Sequence, residues 1–100
     1  FVHLLAPDGS FGGQHDSVPG DGALPTSGWV PGEYLRDEHV FIVRPEAEPG
    51  RYVLEVGLYD AVSGRRLLVR DSDGREVGDR LLLTATPIMV EKPSSSGGTD

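Results

Sequence analysis

Arg51-Tyr52-Val53-Leu54-Glu55-Val56-Gly57-Leu58-Tyr59-Asp60 decides the fold. Its even positions from Tyr52 to Leu58 are all apolar, and its odd positions are mixed. That is a period of two, the mark of a strand with one buried face. The pattern predicts a strand over 51–60. Glu48-Pro49-Gly50 leads into it as a turn, with Pro presetting one dihedral and Gly supplying a positive one.

Working outward, every other segment also reads as strand or turn. Residues 1–5 are apolar apart from His3, and Pro7-Asp8-Gly9 then predicts a hairpin between 1–5 and 11–16. Residues 33–43 read as a strand with a charged interruption at Arg36-Asp37-Glu38. Ser72-Asp73-Gly74 predicts a second hairpin, between 66–70 and 75–78. Residues 80–90 read as a last strand, bulged or at an edge near Pro87, which lacks a ladder donor. No window carries a sustained helical apolar face. The long Gly- and Pro-rich loop 17–32 is expected to be pinned by Trp29, and Pro93-Ser94-Ser95-Ser96-Gly97-Gly98 marks 91–100 as a solvated tail.

These elements predict an all-β domain over 1–90, an immunoglobulin-like or fibronectin-like antiparallel sandwich of roughly seven strands. In such sandwiches a Tyr at a strand start folds back and bonds the preceding corner through its hydroxyl, and Tyr52 is placed to do so. The expected core is Val2, Leu4, Trp29, Val40, Ile42, Tyr52, Leu54, Val56, Leu58, Leu83 and Met89.

Composition excludes several functions. The chain has 100 residues and no Cys, so disulfides, thiolate metal sites and a cysteine nucleophile are out. Sixteen acidic against nine basic residues give a net charge of -7, which leaves no counterion-release route to nucleic acid. The charge is uneven, -6 over 1–50 and -1 over 51–100. Arg65, Arg66, Arg70, Arg75 and Arg80 gather on the predicted hairpins, a pattern that edge protection explains and that an anionic partner would also use. No run approaches the roughly 20 apolar residues of a spanning helix. The chain opens inside an apolar run without Met or a basic region, which reads as a domain cut from a longer chain.

Catalytic patterns are missing. Asp37 and Glu38 are neighbours on a predicted strand and should point to opposite faces, a poor acid/base pair. There is no Gly-x-Ser-x-Gly elbow, and Gly20, Gly22 and Gly28 have the wrong spacing for a phosphate loop. His3, His15 and Asp16 would approach if the first hairpin pairs, but no close-spaced motif supports a metal, and partly buried imidazoles are the commoner reading. Asp71-Ser72-Asp73-Gly74 fails as a calcium loop, because Val69 and Arg80 fall where acidic ligands are needed. No cofactor is implied. The remaining candidates are contact residues: outward-facing Tyr59 with Asp60, joined by Arg65 and Glu33 as hydrogen-bonding groups, with Trp29 and Tyr34 as further aromatic platforms.

Three segments together carry a resemblance: Phe1-Val2-His3-Leu4-Leu5-Ala6-Pro7-Asp8-Gly9, then Pro25-Thr26-Ser27-Gly28-Trp29-Val30-Pro31-Gly32-Glu33, then Pro49 to Asp60. Over about 1–90 the chain resembles a β-sandwich domain at the C-terminal end of bacterial multi-spanning membrane proteins. Many of these are glycosyltransferases of the dolichyl-phosphate-mannose mannosyltransferase type. The resemblance implies an extracytoplasmic, non-catalytic accessory module, with the membrane-embedded part of the same parent chain as its partner. It also implies one more strand upstream of Phe1, and catalytic carboxylates that lie outside this segment. A carbohydrate-binding module built on Tyr59, Asp60 and loop 17–32 is the alternative expectation.

Overall fold

The computed structural model describes residues 1–91, so the expected tail, apart from Glu91, lies outside the described residues. Among these there is no α-helix. The strands are β1 (Val2–Leu5), β2 (Phe11–His15), β3 (Gly50–Val56), β4 (Val69–Arg70), β5 (Glu76–Gly78), β6 (Leu81–Leu82) and β7 (Ile88–Val90), with one 3₁₀ turn at Thr26–Gly28. All pairings are antiparallel. One sheet runs β2-β1-β3-β6, with β7 also on β3, and β4-β5 form a separate ribbon.

The first hairpin forms where its turn chemistry places it. Ala6 N–H donates to Ser10 O and Gly9 N–H to Ala6 O, both at 2.9 Å, with Gly9 at φ +85°. The Asp8 carboxylate accepts from both the backbone N–H and the hydroxyl of Ser10. The second hairpin also forms, as Arg70 pairs with Glu76 across the Asp71–Arg75 turn.

β3 is the centre of the sheet, but it ends at Val56, earlier than the predicted 60. Gly57 lies under the Phe1 ring, where a Cβ would come within 2.5 Å of Phe1 Cζ. Beyond it the chain pairs locally instead: Tyr59 bridges Arg66, and Leu67 N–H donates to Leu58 O at 2.8 Å. The predicted strand 80–90 splits in two. Between the Glu55–Leu82 and Tyr52–Ile88 pairs, β3 advances three residues and the outer segment six, so the chain leaves the ladder in a turn at 84–86, just before Pro87.

The predicted strand 33–43 does not form. The segment lies beside β2, with His39 against His15, the Phe41 ring on Gly13 and one backbone bond from Arg44 N–H to Gly12 O at 2.7 Å. Side chains make this contact, and the charged stretch at 36–38 stays in solvent. The inward phase is the odd one, so Val40 and Ile42 are 77% and 86% exposed instead of joining the core.

The core sits at one end of the sheet. Leu4, Tyr52 and Val90 form its buried centre, with Ala6, Phe41, Ala47 and Leu54 packed against it. Val90, opposite Gly50, is the inward residue of β7, and the expected Met89 points out. Leu83 and Trp29 are also exposed, because both belong to loops. Trp29 makes its bond within its own loop, the indole N–H donating to Leu24 O at 2.9 Å. Val2, Val56 and Leu58 are half-buried.

Candidate functional site

Three of the four predicted contact residues come together, because one short turn joins them. Tyr59 is partly exposed, and its hydroxyl donates to Asp16 Oδ2 at 3.0 Å. That bond, reinforced by the Asp16 charge, raises the Tyr59 phenol above its ordinary range. The Asp60 carboxylate is spent on its own turn, accepting from the N–H groups of Val62 at 2.8 Å and Ser63 at 3.0 Å. The Ser63 and Val62 bonds hold the Asp60 carboxyl below the ordinary range. Arg65 closes the turn, its carbonyl accepting from Asp60 N–H. Glu33 belongs to another turn, where its carboxylate accepts from Val30 N–H at 3.2 Å. No hydrogen bond joins Glu33 to the other three among the described residues. Tyr34 is fully exposed.

Beside Tyr59 lies an open depression of about 400 Å³, bordered by Asp16, Ser17, Pro25, Ser27 and Ala61. Loop 17–32 therefore does meet Tyr59. The arginines are less free than their spacing implied. Residues 60–80 carry five arginines and also five acids, and Arg66, Arg70 and Arg80 are each paired with a carboxylate. Residues 60–80 therefore carry no net formal charge.

Two ionisable clusters were not legible as sites. The register of β1 on β3 sets His3 opposite Glu55 on the odd face of the sheet. Glu55 is 2% exposed and His3 7%. His3 Nδ1 lies 2.6 Å from Glu55 Oε1, and an ionised carboxylate can only accept, so Nδ1 carries the proton. Arg80 Nη1 donates to Oε2 at 2.6 Å, with Arg66 Nη1 at 3.6 Å. Burial pushes the Glu55 carboxyl up, but the bonds from Arg80 and His3 and the charge of Arg66 outweigh it and hold it below the ordinary range. Phe1 stacks on the His3 imidazole at 4.6 Å, Phe11 covers it at 4.4 Å, and Arg66 lies over the Phe1 ring at 4.5 Å. His3 Nε2 lies 3.7 Å from Asp16 Oδ1. No hydroxyl is bonded to His3 among the described residues.

The second cluster is on the opposite face. β2 pairs with β1 so that Val2 meets His15 and His3 meets Gln14. His3 and His15 therefore point away from each other, and the His3/His15/Asp16 grouping does not assemble. His15 Nδ1 meets His39 Nδ1 instead, at 2.8 Å. His39 Nε2 lies 2.9 Å from Asp37 Oδ2, and Asp37 Oδ1 accepts from Gly20 N–H at 2.8 Å. Burial opposes ionisation of Asp37, but the bonds from Gly20 and His39 prevail and its carboxyl lies below the ordinary range. Among the described residues no group of three or more His, Asp or Glu is disposed to hold a metal ion.

Beyond the Leu4–Tyr52 core the even face of the sheet is open. A cleft of about 440 Å³ runs between Trp29, Val56, Leu58, Leu67, Leu68 and Leu81. A second, of about 340 Å³, lies over Val2, Leu54, Phe41 and Ile88. Leu67, Leu68, Leu81 and Met89 are each about half exposed or more. No protein-family model, curated protein or solved structure matches this chain.

Proposed function

We propose that this chain is a non-catalytic accessory module, an immunoglobulin-like sandwich attached on the extracytoplasmic side to a membrane glycosyltransferase-like parent, and that it packs its open apolar face against that parent. One observation carries the reading: Trp29, Leu67, Leu68 and Leu81 around the even-face cleft are exposed, while the buried apolar centre is confined to a few residues. Contiguous exposed apolar surface rimmed by polar groups marks an interaction site. The Tyr52 hydroxyl donating to Glu48 O at 2.7 Å supports the sandwich part of the proposal, since a corner bond of this kind recurs in that architecture. No helix among the described residues is long and apolar enough to cross a membrane, so the parent would supply that part. The test is paired substitution of Leu68 and Leu81 by Ser in the parent protein. Loss of parent activity or assembly with the module still folded is the expected result, and an unchanged parent overturns the reading.

Glycan binding is a second reading, favoured by the exposed Tyr59 ring beside the 400 Å³ depression. Aromatic faces next to hydrogen-bonding groups suit sugar rings. Chemical-shift changes at Tyr59 and Ala61 on titration with millimolar oligosaccharides would support it, and a flat titration removes it.

A further inference from the structure

We propose that the Nδ1 atoms of His15 and His39 form a two-imidazole site for a divalent transition ion, with Asp37 orienting His39.

Asp37 accepts from Gly20 N–H through one oxygen and meets His39 Nε2 through the other. A carboxylate in this setting only accepts, so Nε2 of His39 carries its ring proton. In the neutral ring that leaves a lone pair on Nδ1, directed at His15. A carboxylate behind the far nitrogen of a histidine is the arrangement that fixes the tautomer and raises the basicity of metal-binding imidazoles. His15 supplies the second nitrogen from the end of β2, with the two rings nearly perpendicular at 78°.

The spacing suits a shared ion. Two Zn–N bonds of about 2.0–2.1 Å at a tetrahedral angle set the nitrogens about 3.3 Å apart. The observed 2.8 Å is shorter by roughly 0.5 Å, so the two rings part by that much to admit the ion. On binding, the Nδ1 proton of neutral His15 is replaced by the ion and the ring takes its proton on Nε2. Two protein ligands leave the remaining positions to water, since no third His, Asp or Glu completes the set among the described residues. His15 borders an open depression of about 760 Å³ whose wall carries Asp21, Glu38 and Arg36, so hydrated ion can reach His15 from that side. Imidazole nitrogen selects Zn²⁺ or Cu²⁺ over Ca²⁺ and Mg²⁺, which take oxygen.

The experiment is titration of the intact chain with Zn²⁺, read by calorimetry and by imidazole ¹⁵N resonances, with Mg²⁺ in parallel. Expected are one ion per chain, shifts confined to the His15 and His39 rings, and no response to Mg²⁺. The Nδ1 resonances of both rings should move and those of His3 should stay. His15→Gln and His39→Gln should each abolish binding, and Asp37→Asn should weaken it by about 10–100-fold. Absence of binding at millimolar Zn²⁺, or binding that moves the His3 ring, overturns the proposal. So does binding that survives in the His15→Gln/His39→Gln double variant. The ring resonances of the unsubstituted protein decide the matter even if a variant fails to fold.

Discussion

His3 and Glu55 face each other across β1 and β3, with Nδ1 2.6 Å from Oε1 and both side chains almost wholly out of solvent. Fifty-two residues separate them in sequence, and the sheet register alone makes them neighbours. The pair, with Arg80 on the other carboxylate oxygen, places buried charge in the middle of the odd face. Buried pairs of this kind add little when whole and cost much when broken.

Glu55→Ala should therefore lower stability by ~3–5 kcal/mol, since it strands the buried His3 without its acceptor. Urea unfolding followed by circular dichroism measures this. A loss below about 1 kcal/mol, the size of an exposed pair, would mean that the network is solvated in solution.

Acid should destabilise the fold through the same residue. The Glu55 carboxyl is lower in the folded chain than its ordinary value of about 4.3. Below that ordinary value the unfolded chain holds a proton that the folded chain lacks, so stability rises with pH there. The contribution is present above about pH 4.3 and is lost as pH falls through the folded value. Asp37 and Asp60 are lowered as well and act in the same direction. Unfolding midpoints measured downward from neutral pH should fall steeply for the natural chain and less steeply for Glu55→Gln.

Tyr52→Phe removes only the hydroxyl that donates to Glu48 O at 2.7 Å. The expected loss is ~1 kcal/mol. Amide exchange should also quicken over 47–50, where the corner loses its tie.

Gly12→Ala should be costly, because an added Cβ would lie 2.6 Å from Tyr52 Cε2. The ring is buried in the core and cannot swing into solvent, so overpacking of ~1–3 kcal/mol is expected. In a double-mutant cycle, Tyr52→Leu should relieve part of that cost, and strict additivity would show that the two do not touch.

Trp29→Phe deletes the indole N–H that bonds Leu24 O. Trp29 is 39% exposed, so the core should be barely affected. Hydrogen exchange over 22–29 should rise while β1 and β3 keep their protection.

Local chemistry in the sequence by itself determined the strand character of 51–56, the turns at Pro7-Asp8-Gly9 and Ser72-Asp73-Gly74, and the Tyr52 corner bond. Each depends on dihedral preferences or alternation within a few residues, and those signals survive without the rest of the chain. Only the tertiary structure decided which face each residue occupies. A one-residue change of register exchanges the two faces of a strand. That choice sent His3 to Glu55 and His15 to His39, and it turned Phe41 inward and Val40 and Ile42 outward. The 33–43 segment has the composition of a strand but lies beside β2 through side chains alone, apart from one backbone bond. Such pairings connect residues 24 and 52 positions apart, and no local window of sequence contains both partners.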